Sequence, residues 1–275
     1  MKTFFRLFAQ LPLPLLHAVG AALGWLTFLA SASYRRRFIE NLHQGGYSLA
    51  QVLAAPAEAG KLVAELPRLW FGRPVRIEWE GEQVIAQAQA HGRGIVYLTP
   101  HLGCFEVTAQ GLAERYGRIT VLYRPARKLW LRELVDTARA RSNLVTAPTS
   151  LAGVRQMLRA LRCGEAVGLL PDQVPPEGMG LWAPFFGRDA YTMTLSARLA
   201  QQTGATLLLV WGERLSWGRG YRLHFSDWPG KLADDPATAA AQVNAQMERL
   251  IRQCPQQYLW GYARYKQPRL DKAHT

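Results

Sequence analysis

The chain has 275 residues, of which 49% are apolar or aromatic and only 19% are charged. These proportions exclude an intrinsically disordered chain and allow one domain, or two small ones, with a sizeable core. The net charge is nevertheless +13, which indicates anionic partners such as nucleic acid, an anionic membrane or an acidic protein. Three widely spaced cysteines, Cys104, Cys163 and Cys254, match neither a disulfide framework nor a metal-binding spacing, so we expect a reducing, cytosolic environment.

A nearly uncharged apolar segment runs from Leu13 to Ser33. As a helix it would be roughly 32 Å long, enough to cross the core of a bilayer. Basic residues flank it on both sides and are denser after it, at Arg35, Arg36 and Arg37, which predicts that the rest of the protein is cytoplasmic. We therefore assign residues 1–33 to a membrane anchor and residues 34–275 to a single globular domain.

Two other interpretations of this segment stay open. Ala30-Ser31-Ala32 resembles a signal-peptidase site, but the apolar run is long for a signal peptide and the arginines after it oppose export. A helix that lies in the membrane interface is the other alternative, because His17 and small residues such as Gly20 and Gly24 make the segment only moderately apolar.

The remainder of the chain alternates between apolar strands and helices, after a mixed helical region at 34–75. Strands are predicted at 75–80, 94–99, 119–123, 166–170, 206–211 and 221–225. Helices are predicted at 82–91, 107–116, 128–142, 150–163, 192–203 and 237–252, with a loop rich in Gly and Pro at 174–187. This alternation predicts an α/β fold with a mixed, largely parallel central sheet flanked by helices.

The stretch Thr99–Glu106 contains a candidate catalytic pair, His101 and Glu106. Residues five apart on one continuous helix point about 140° away from each other, so the pair meets only if a turn separates them. Pro100 and Gly103 favour such a turn, with Glu106 in the first turn of the next helix. A carboxylate bound to one ring nitrogen would fix the tautomer and stabilise the imidazolium. The simpler alternative is a structural, hydrogen-bonded His.

No Ser nucleophile lies beside His101, so a substrate hydroxyl activated by the His–Glu pair is the expected reactant. Cys104 is a rival nucleophile, although buried Cys residues often act as small hydrophobes. Because ligands bind at the carboxyl ends of parallel strands, Arg124, Asp172 and Gln173 are candidate substrate-site residues. The aromatic stretch 182–186 is either an acyl-chain groove or core packing.

Four blocks in this order resemble the bacterial lipid A biosynthesis acyltransferases, within the wider lysophospholipid acyltransferase superfamily. They are Thr99–Glu106, Tyr123-Arg124-Pro125, Leu169–Gln173 followed by Ala183–Gly187, and Pro255–Trp260. The resemblance covers the chain from about Tyr34 to Arg269 and implies transfer of a fatty acyl chain from acyl carrier protein to a hydroxyl of a lipid A precursor. By the same resemblance His101 is the general base and Glu106 its partner.

The resemblance further implies an enzyme on the cytoplasmic face of the inner membrane, with no metal and no cofactor. Cys104 stands where Asn is common in the family, and residues 42–62 match it poorly, so another acceptor such as an ornithine lipid stays an alternative. A lipid hydrolase or thioesterase is a second enzymatic alternative. A membrane-tethered nucleic-acid binder is a third, suggested by the aromatic and basic residues of the stretch 258–266.

Overall fold

The computed structural model describes residues 2–123, 132–135, 137 and 142–269. Its strands are β1 Ile77–Glu80, β2 Ile95–Leu98, β3 Ile119–Tyr123, β4 Leu144–Pro148, β5 Ala166–Leu169, β6 Gly180–Phe185, β7 Arg188–Met193, β8 Thr206–Arg214 and β9 Tyr221–Asp227. Its named helices are α1 Lys2–Phe8, α2 Leu13–Ala30, α3 Ala32–Gln44, α4 Ala55–Ala64, α5 Leu66–Phe71, α6 Gln83–Ala90, α7 Phe105–Tyr116, α8 Leu151–Arg162, α9 Leu195–Thr203 and α10 Pro236–Gln253.

The central sheet has the strand order β1-β9-β8-β2-β5-β3-β4. Strands β8 and β9 pair in antiparallel fashion, and every other neighbouring pair is parallel. The predicted α/β class with a largely parallel sheet flanked by helices is therefore confirmed. The predicted pairing of 221–225 with the preceding strand is confirmed as well.

The sheet separates two apolar cores, because side chains along a strand alternate between its faces. Strand β2 shows this alternation: Val96 and Leu98 belong to one core, and Ile95 and Tyr97 belong to the other. Helices α3, α8, α9 and α10 contribute to the first core, and helices α5, α6 and α7 contribute to the second. Burial on both faces explains why β2 is a continuous apolar run.

Two sequence predictions around the fifth strand were wrong. The loop predicted at 174–187 contains strand β6, which pairs with β7 in an antiparallel hairpin, and the following helix begins at Leu195 rather than at residue 192. Phe185 and Phe186 of this hairpin are buried in the first core, as the packing interpretation requires. Strand β4 was not predicted, and most of the helix predicted at 128–142 lies outside the described residues.

Helix α2 packs closely against α4. Gly20, Gly24 and Gly60 bring the two backbones into contact, and a Cβ atom on Gly60 would collide with the carbonyl oxygen of Gly20. Within the described ranges, α2 is the helix that is long and apolar enough to cross a membrane, and a third of it is buried in the protein. The proposed domain boundary at residue 33 falls in the first turn of α3, and α2, which precedes it, is already packed against α4.

The contact between α2 and α4 gives a first prediction. Replacing Gly60 with Ala gains about 1 kcal/mol in helix propensity, whereas overpacking costs about 1–3 kcal/mol. We expect a net loss of stability, because the added methyl group meets rigid backbone that cannot rotate away. Thermal unfolding followed by circular dichroism should show a lower Tm. The control Ala59→Ser adds one heavy atom at the neighbouring, half-buried position, and a Tm for Gly60→Ala at or above that of the wild type would contradict the close packing.

Candidate active site

The register of two central strands brings His101 and Asp172 together. Strands β2 and β5 are parallel neighbours in which Leu98 is opposite Leu169. His101 and Asp172 each lie three residues beyond this pair, at the carboxyl edge of the sheet. The His101 Nδ1–H group donates to Oδ1 of Asp172 at 2.7 Å, and the His101 backbone N–H donates to Oδ2 at 2.9 Å. One carboxylate thus fixes both the ring and the main chain of His101.

The protonation of this pair follows from its surroundings. Asp172 is only 1% exposed, and burial alone would raise its pKa; the charge of His101 and two hydrogen bonds from it outweigh burial, so the pKa of Asp172 lies below its ordinary value. An ionised Asp172 can only accept, so Nδ1 of His101 carries the proton. The other nitrogen, Nε2, then has a free lone pair, and it accepts a hydrogen bond from the Gln173 side-chain amide at 3.0 Å.

Glu106 is placed as predicted, but the expected bond to His101 is not formed. Glu106 lies in the first turn of α7 and is 5% exposed. One of its carboxylate oxygens accepts a hydrogen bond from the indole N–H of Trp70 on α5 at 3.3 Å. The ring of His101 instead points to the turn after β5, because β5 is one of the two strands adjacent to β2 in the sheet.

The three other candidates, Arg124, Gln173 and Cys104, have different outcomes. Arg124 lies outside the described residues, and Gln173 contacts His101 as described above. The thiol of Cys104 is fully buried, and burial, reinforced by the nearby charge of Glu65, raises its pKa well above the ordinary value. A nucleophilic Cys needs a lowered pKa and access to substrate, so the structure favours the interpretation of Cys104 as a small buried hydrophobe.

The turn between His101 and α7 is held through its backbone. Gly103 has a φ of +60°, and a Cβ atom there would collide with the carbonyl oxygen of Gly212, so the turn requires glycine. The N–H group of Gly103 donates to the Gln257 carbonyl at 3.0 Å, and that of Cys104 donates to the Gly212 carbonyl at 2.7 Å. The N–H group of Leu259 donates to the His101 carbonyl at 3.2 Å. The turn is therefore enclosed by the end of β8 and the segment that follows α10.

A buried charge cluster lies behind this turn, centred on Arg214 at the end of β8. The Arg214 guanidinium donates to both carboxylate oxygens of Glu65, at 2.7 and 2.6 Å, and to Glu58 at 2.6 Å. It also donates to the carbonyl oxygen of Gly103 at 3.3 Å. Glu65 further accepts hydrogen bonds from His17 of α2 at 3.0 Å and from the Tyr221 hydroxyl at 2.9 Å. The cluster joins α2, α4, β8, β9 and the turn between His101 and α7.

Sequence reasoning missed most of this cluster. His17 was interpreted as a packing residue of the apolar helix, and neither Glu65 nor Arg214 stands in a recognisable motif. The available signal was an Arg at position 214, three residues after the apolar strand sequence 206–211, together with a lone His in an apolar helix. Charged groups in such positions are buried only when they are paired, but the sequence does not identify the partner.

The segment after α10 is largely packed into the protein. Tyr258, Trp260 and Arg264 are all at least 95% buried. The Arg264 guanidinium donates to the carbonyl of Tyr191 and the hydroxyl of Thr192, and so it anchors the β6–β7 hairpin rather than facing solvent. Among the described residues there is also no cluster of His, Cys, Asp and Glu that would hold a metal ion.

Comparison with known proteins identifies the class to which this fold and site belong. The family model for bacterial lipid A biosynthesis acyltransferases matches residues 2–267. The match covers nearly the whole chain, including the turn at His101 and the segment after α10. The chain therefore belongs to the bacterial lipid A biosynthesis acyltransferase family, and it is an acyltransferase.

Individual relatives agree with this assignment. The lipid A biosynthesis palmitoleoyltransferase of Escherichia coli K12 is 28% identical over 94% of this chain and 88% of the relative. The lauroyltransferase of the same organism is also 28% identical, with the same coverage of both chains. A lipid A biosynthesis acyltransferase of Haemophilus influenzae is 27% identical over 93% of this chain and 86% of the relative. The names of these relatives specify different acyl groups.

The buried cluster gives a prediction for the pH dependence of stability. Burial would raise the pKa of Glu65, but Arg214 and His17 outweigh burial and lower the pKa from 4.5 to about 2. The ionised carboxylate therefore contributes stability that is fully present above pH 4.5 and is lost as the pH falls toward 2. A shift of this size corresponds to about 3 kcal/mol. We expect Glu65→Gln to be less stable at neutral pH and to show a flatter fall of stability on acidification.

The measurement is urea unfolding in detergent micelles at a series of pH values between neutrality and pH 3. Glu177→Gln is the matched control, since Glu177 is exposed and forms no side-chain ion pair among the described residues. Equal pH dependence of the unfolding free energy in the two variants would contradict the assignment of acid sensitivity to Glu65.

Proposed function

We propose that this acyltransferase moves a fatty acyl chain from acyl carrier protein to a hydroxyl of a lipid A precursor in the late acylation steps of lipopolysaccharide biosynthesis. Family membership supports the lipid A pathway. Similar proteins include lipid A biosynthesis lauroyl-, palmitoleoyl- and myristoyltransferases. The observation that carries the chemistry is the His101 ring, held at the carboxyl edge of the sheet with Nδ1 on Asp172 and Nε2 on a displaceable amide.

In the proposed mechanism, Nε2 of His101 is the general base. The acceptor hydroxyl displaces the Gln173 amide from Nε2 and gives its proton to that atom, while Asp172 stabilises the resulting imidazolium. The alkoxide attacks the thioester carbonyl to form a tetrahedral intermediate. The carbon–sulfur bond then breaks, the ester remains on the lipid, and the leaving thiolate takes the proton from Nε2.

The oxyanion of this intermediate requires hydrogen-bond donors. The N–H groups from His101 to Cys104 already donate to Asp172, Pro100, Gln257 and Gly212. Donors for the oxyanion are therefore proposed from the first turn of α7, which begins at Phe105 and also presents the positive end of the helix dipole. Arg124 stays a proposed substrate-site residue on the basis of the family resemblance.

Glu106 stays in the proposal as the second carboxylate of the site. The family resemblance pairs it with His101, whereas the structure gives the direct bond to Asp172. Catalytic hydrogen bonds are often long or misaligned without substrate. A movement of the His101 and Glu106 side chains when substrate binds would allow a hydrogen bond between them. A comparison of the two carboxylates by mutation separates these arrangements.

The catalytic prediction concerns three substitutions. We expect His101→Ala to reduce acyl transfer by at least about 100-fold, since general base catalysis supplies about 10²–10⁴. Asp172→Asn should cause a loss of similar size, because a carboxamide neither fixes the Nδ1–H tautomer nor stabilises the imidazolium. A comparable loss in Glu106→Gln would support the rearrangement on binding, and a loss below about tenfold would assign the role to Asp172 alone.

The assay uses acyl carrier protein with a labelled acyl chain and a lipid A precursor, and it separates acylated lipid from free fatty acid. His91→Ala is the control, because His91 is exposed at the end of α6. Retention of more than about a tenth of wild-type transfer by His101→Ala would contradict the proposed base. Free fatty acid as the main product would indicate a thioesterase, and transfer to an ornithine lipid but not to the lipid A precursor would indicate the other acceptor.

We further propose that the enzyme works on the cytoplasmic face of the inner membrane, with α2 lying in the interface. Large apolar side chains are exposed along one face of α2: Leu15, Val19, Leu23, Leu26 and Leu29. Trp217 is 88% exposed in a turn where Gly218 touches Pro14 at the start of α2. Trp side chains favour the level of the lipid headgroups. The opposite face of α2 packs on α4. An orientation of α2 in the membrane plane would place its exposed apolar face in the lipid and keep the other face against the protein.

The membrane prediction uses the exposed face of α2. We expect Leu26→Glu to weaken sedimentation with vesicles of anionic phospholipid by about tenfold, since insertion of a carboxylate into the apolar boundary is costly. Leu151→Glu is the control, because Leu151 is equally exposed but lies on α8. Alkaline carbonate should extract the wild-type protein from membranes. Resistance to this extraction would contradict the interfacial arrangement and support a spanning helix.

A further inference from the structure

The side chain of Gln257 has an unusual position relative to the catalytic turn. Its amide forms two hydrogen bonds with the backbone of Arg214: Oε1 accepts from the Arg214 N–H at 2.8 Å, and Nε2 donates to the Arg214 carbonyl at 2.9 Å. The same residue accepts the N–H of Gly103 on its own carbonyl at 3.0 Å. Gln257 therefore connects the end of β8 to the turn that carries His101.

Arg214 makes the second hydrogen bond that holds the backbone of that turn. Its guanidinium donates to the carbonyl of Gly103, so both backbone polar groups of Gly103 are bound, one by Gln257 and the other by Arg214. The guanidinium itself is fixed by Glu65 and Glu58, which are 0% and 9% exposed. A residue whose N–H and carbonyl are both held, at a φ of +60°, has little freedom to change the direction of the chain.

The orientation of His101 depends on the same turn. Gly103 is two residues away from His101, and the carbonyl of His101 accepts the N–H of Leu259, two residues after Gln257. The ring must present Nε2 to a hydroxyl while Nδ1 remains on Asp172. A displacement of about 1 Å in such an arrangement can cost about 100-fold in rate.

We propose that Gln257 and Arg214 are positioning residues of the acyltransferase, which act through the backbone of Gly103 to set the orientation of His101. This inference rests on the proposed role of His101 as the general base. Neither side chain contacts the His101 ring in the structure, so both act indirectly. This role gives the sequence Pro255–Trp260 a structural connection to the turn that carries His101. Gln257 holds the turn through the backbone of Gly103, while Trp260 is part of the first core.

The test compares two adjacent glutamines. Gln257→Met removes both side-chain hydrogen bonds at nearly constant volume, whereas Gln256→Met changes an exposed side chain that forms no hydrogen bond within the described part of the chain. We expect Gln257→Met to lower kcat by about 10- to 100-fold with KM changed less than about threefold, because alignment rather than binding is lost. Gln256→Met should retain wild-type kcat and KM.

Two further readouts separate positioning from general destabilisation. In Gln257→Met, the ring ¹⁵N resonances of His101, assigned by their absence in His101→Ala, should shift while the circular dichroism spectrum stays that of the wild type. Gln257→Glu keeps the acceptor for the Arg214 N–H but loses the donor to its carbonyl, so its kcat should fall between the wild type and Gln257→Met. If Gln257→Met does not fold, Gln257→Glu carries the comparison.

Arg214→Lys provides the second arm. It keeps the positive charge that Glu65 requires but loses the planar group that reaches Glu58, Glu65 and Gly103 together, so kcat should fall by about tenfold or more. Arg222→Lys, at a partly exposed ion pair with Glu78, is the control. Wild-type kcat and unshifted His101 resonances in folded Gln257→Met and Arg214→Lys would overturn the inference. Full activity of His101→Ala would instead overturn the proposed function, whatever the Gln257 variants do.

Discussion

The buried guanidinium of Arg214 is the constraint on which the site depends. A cation that is 4% exposed is tolerated only when it is paired and its N–H groups are bonded, since an isolated buried charge is very costly. Glu65 and Glu58 supply the negative charges that pair with Arg214, and they lie toward the two ends of the helical segment 55–65. That requirement fixes the position of α4 relative to β8, and with it the place where α2 packs.

The parallel register of the sheet is the second constraint, because it brings residues that are distant in sequence close together at one edge of the sheet. Because Leu98 and Leu169 are partners on adjacent strands, equal lengths of chain beyond them place His101 beside Asp172. Crossover helices make such pairs distant in sequence, here 71 residues apart. The end of β8 lies at the same edge, so the His101–Asp172 pair and the charge cluster lie within one layer of turns.

The sequence predicted the bounds of the helices and strands better than it predicted which strands are adjacent in the sheet. Most strands and helices that lie within the described residues occur within a few residues of their predicted bounds, since apolar periodicity and glycine positions are local signals. The carboxyl edge was also predicted, with His101, Asp172 and Gln173 on it. The hydrogen bond between His101 and Asp172 was not predicted, because the packing of the whole sheet decides which strand adjoins β2. That strand is β5, which lies some 70 residues further along the chain.

The position of α2 connects the proposed membrane surface with the proposed active site. Its inner face reaches the charge cluster through His17, whose ring donates to the carboxylate that holds Arg214. Its outer face exposes the leucines proposed to enter the interface. A helix fixed on its inner side in this way cannot tilt without disturbing a buried ion pair, so the distance between the proposed membrane surface and the turn of His101 is set by packing. In the proposed reaction, an acceptor lipid that stays in the bilayer would then meet His101 at a constant depth, while the proposed soluble acyl donor would approach from the aqueous side.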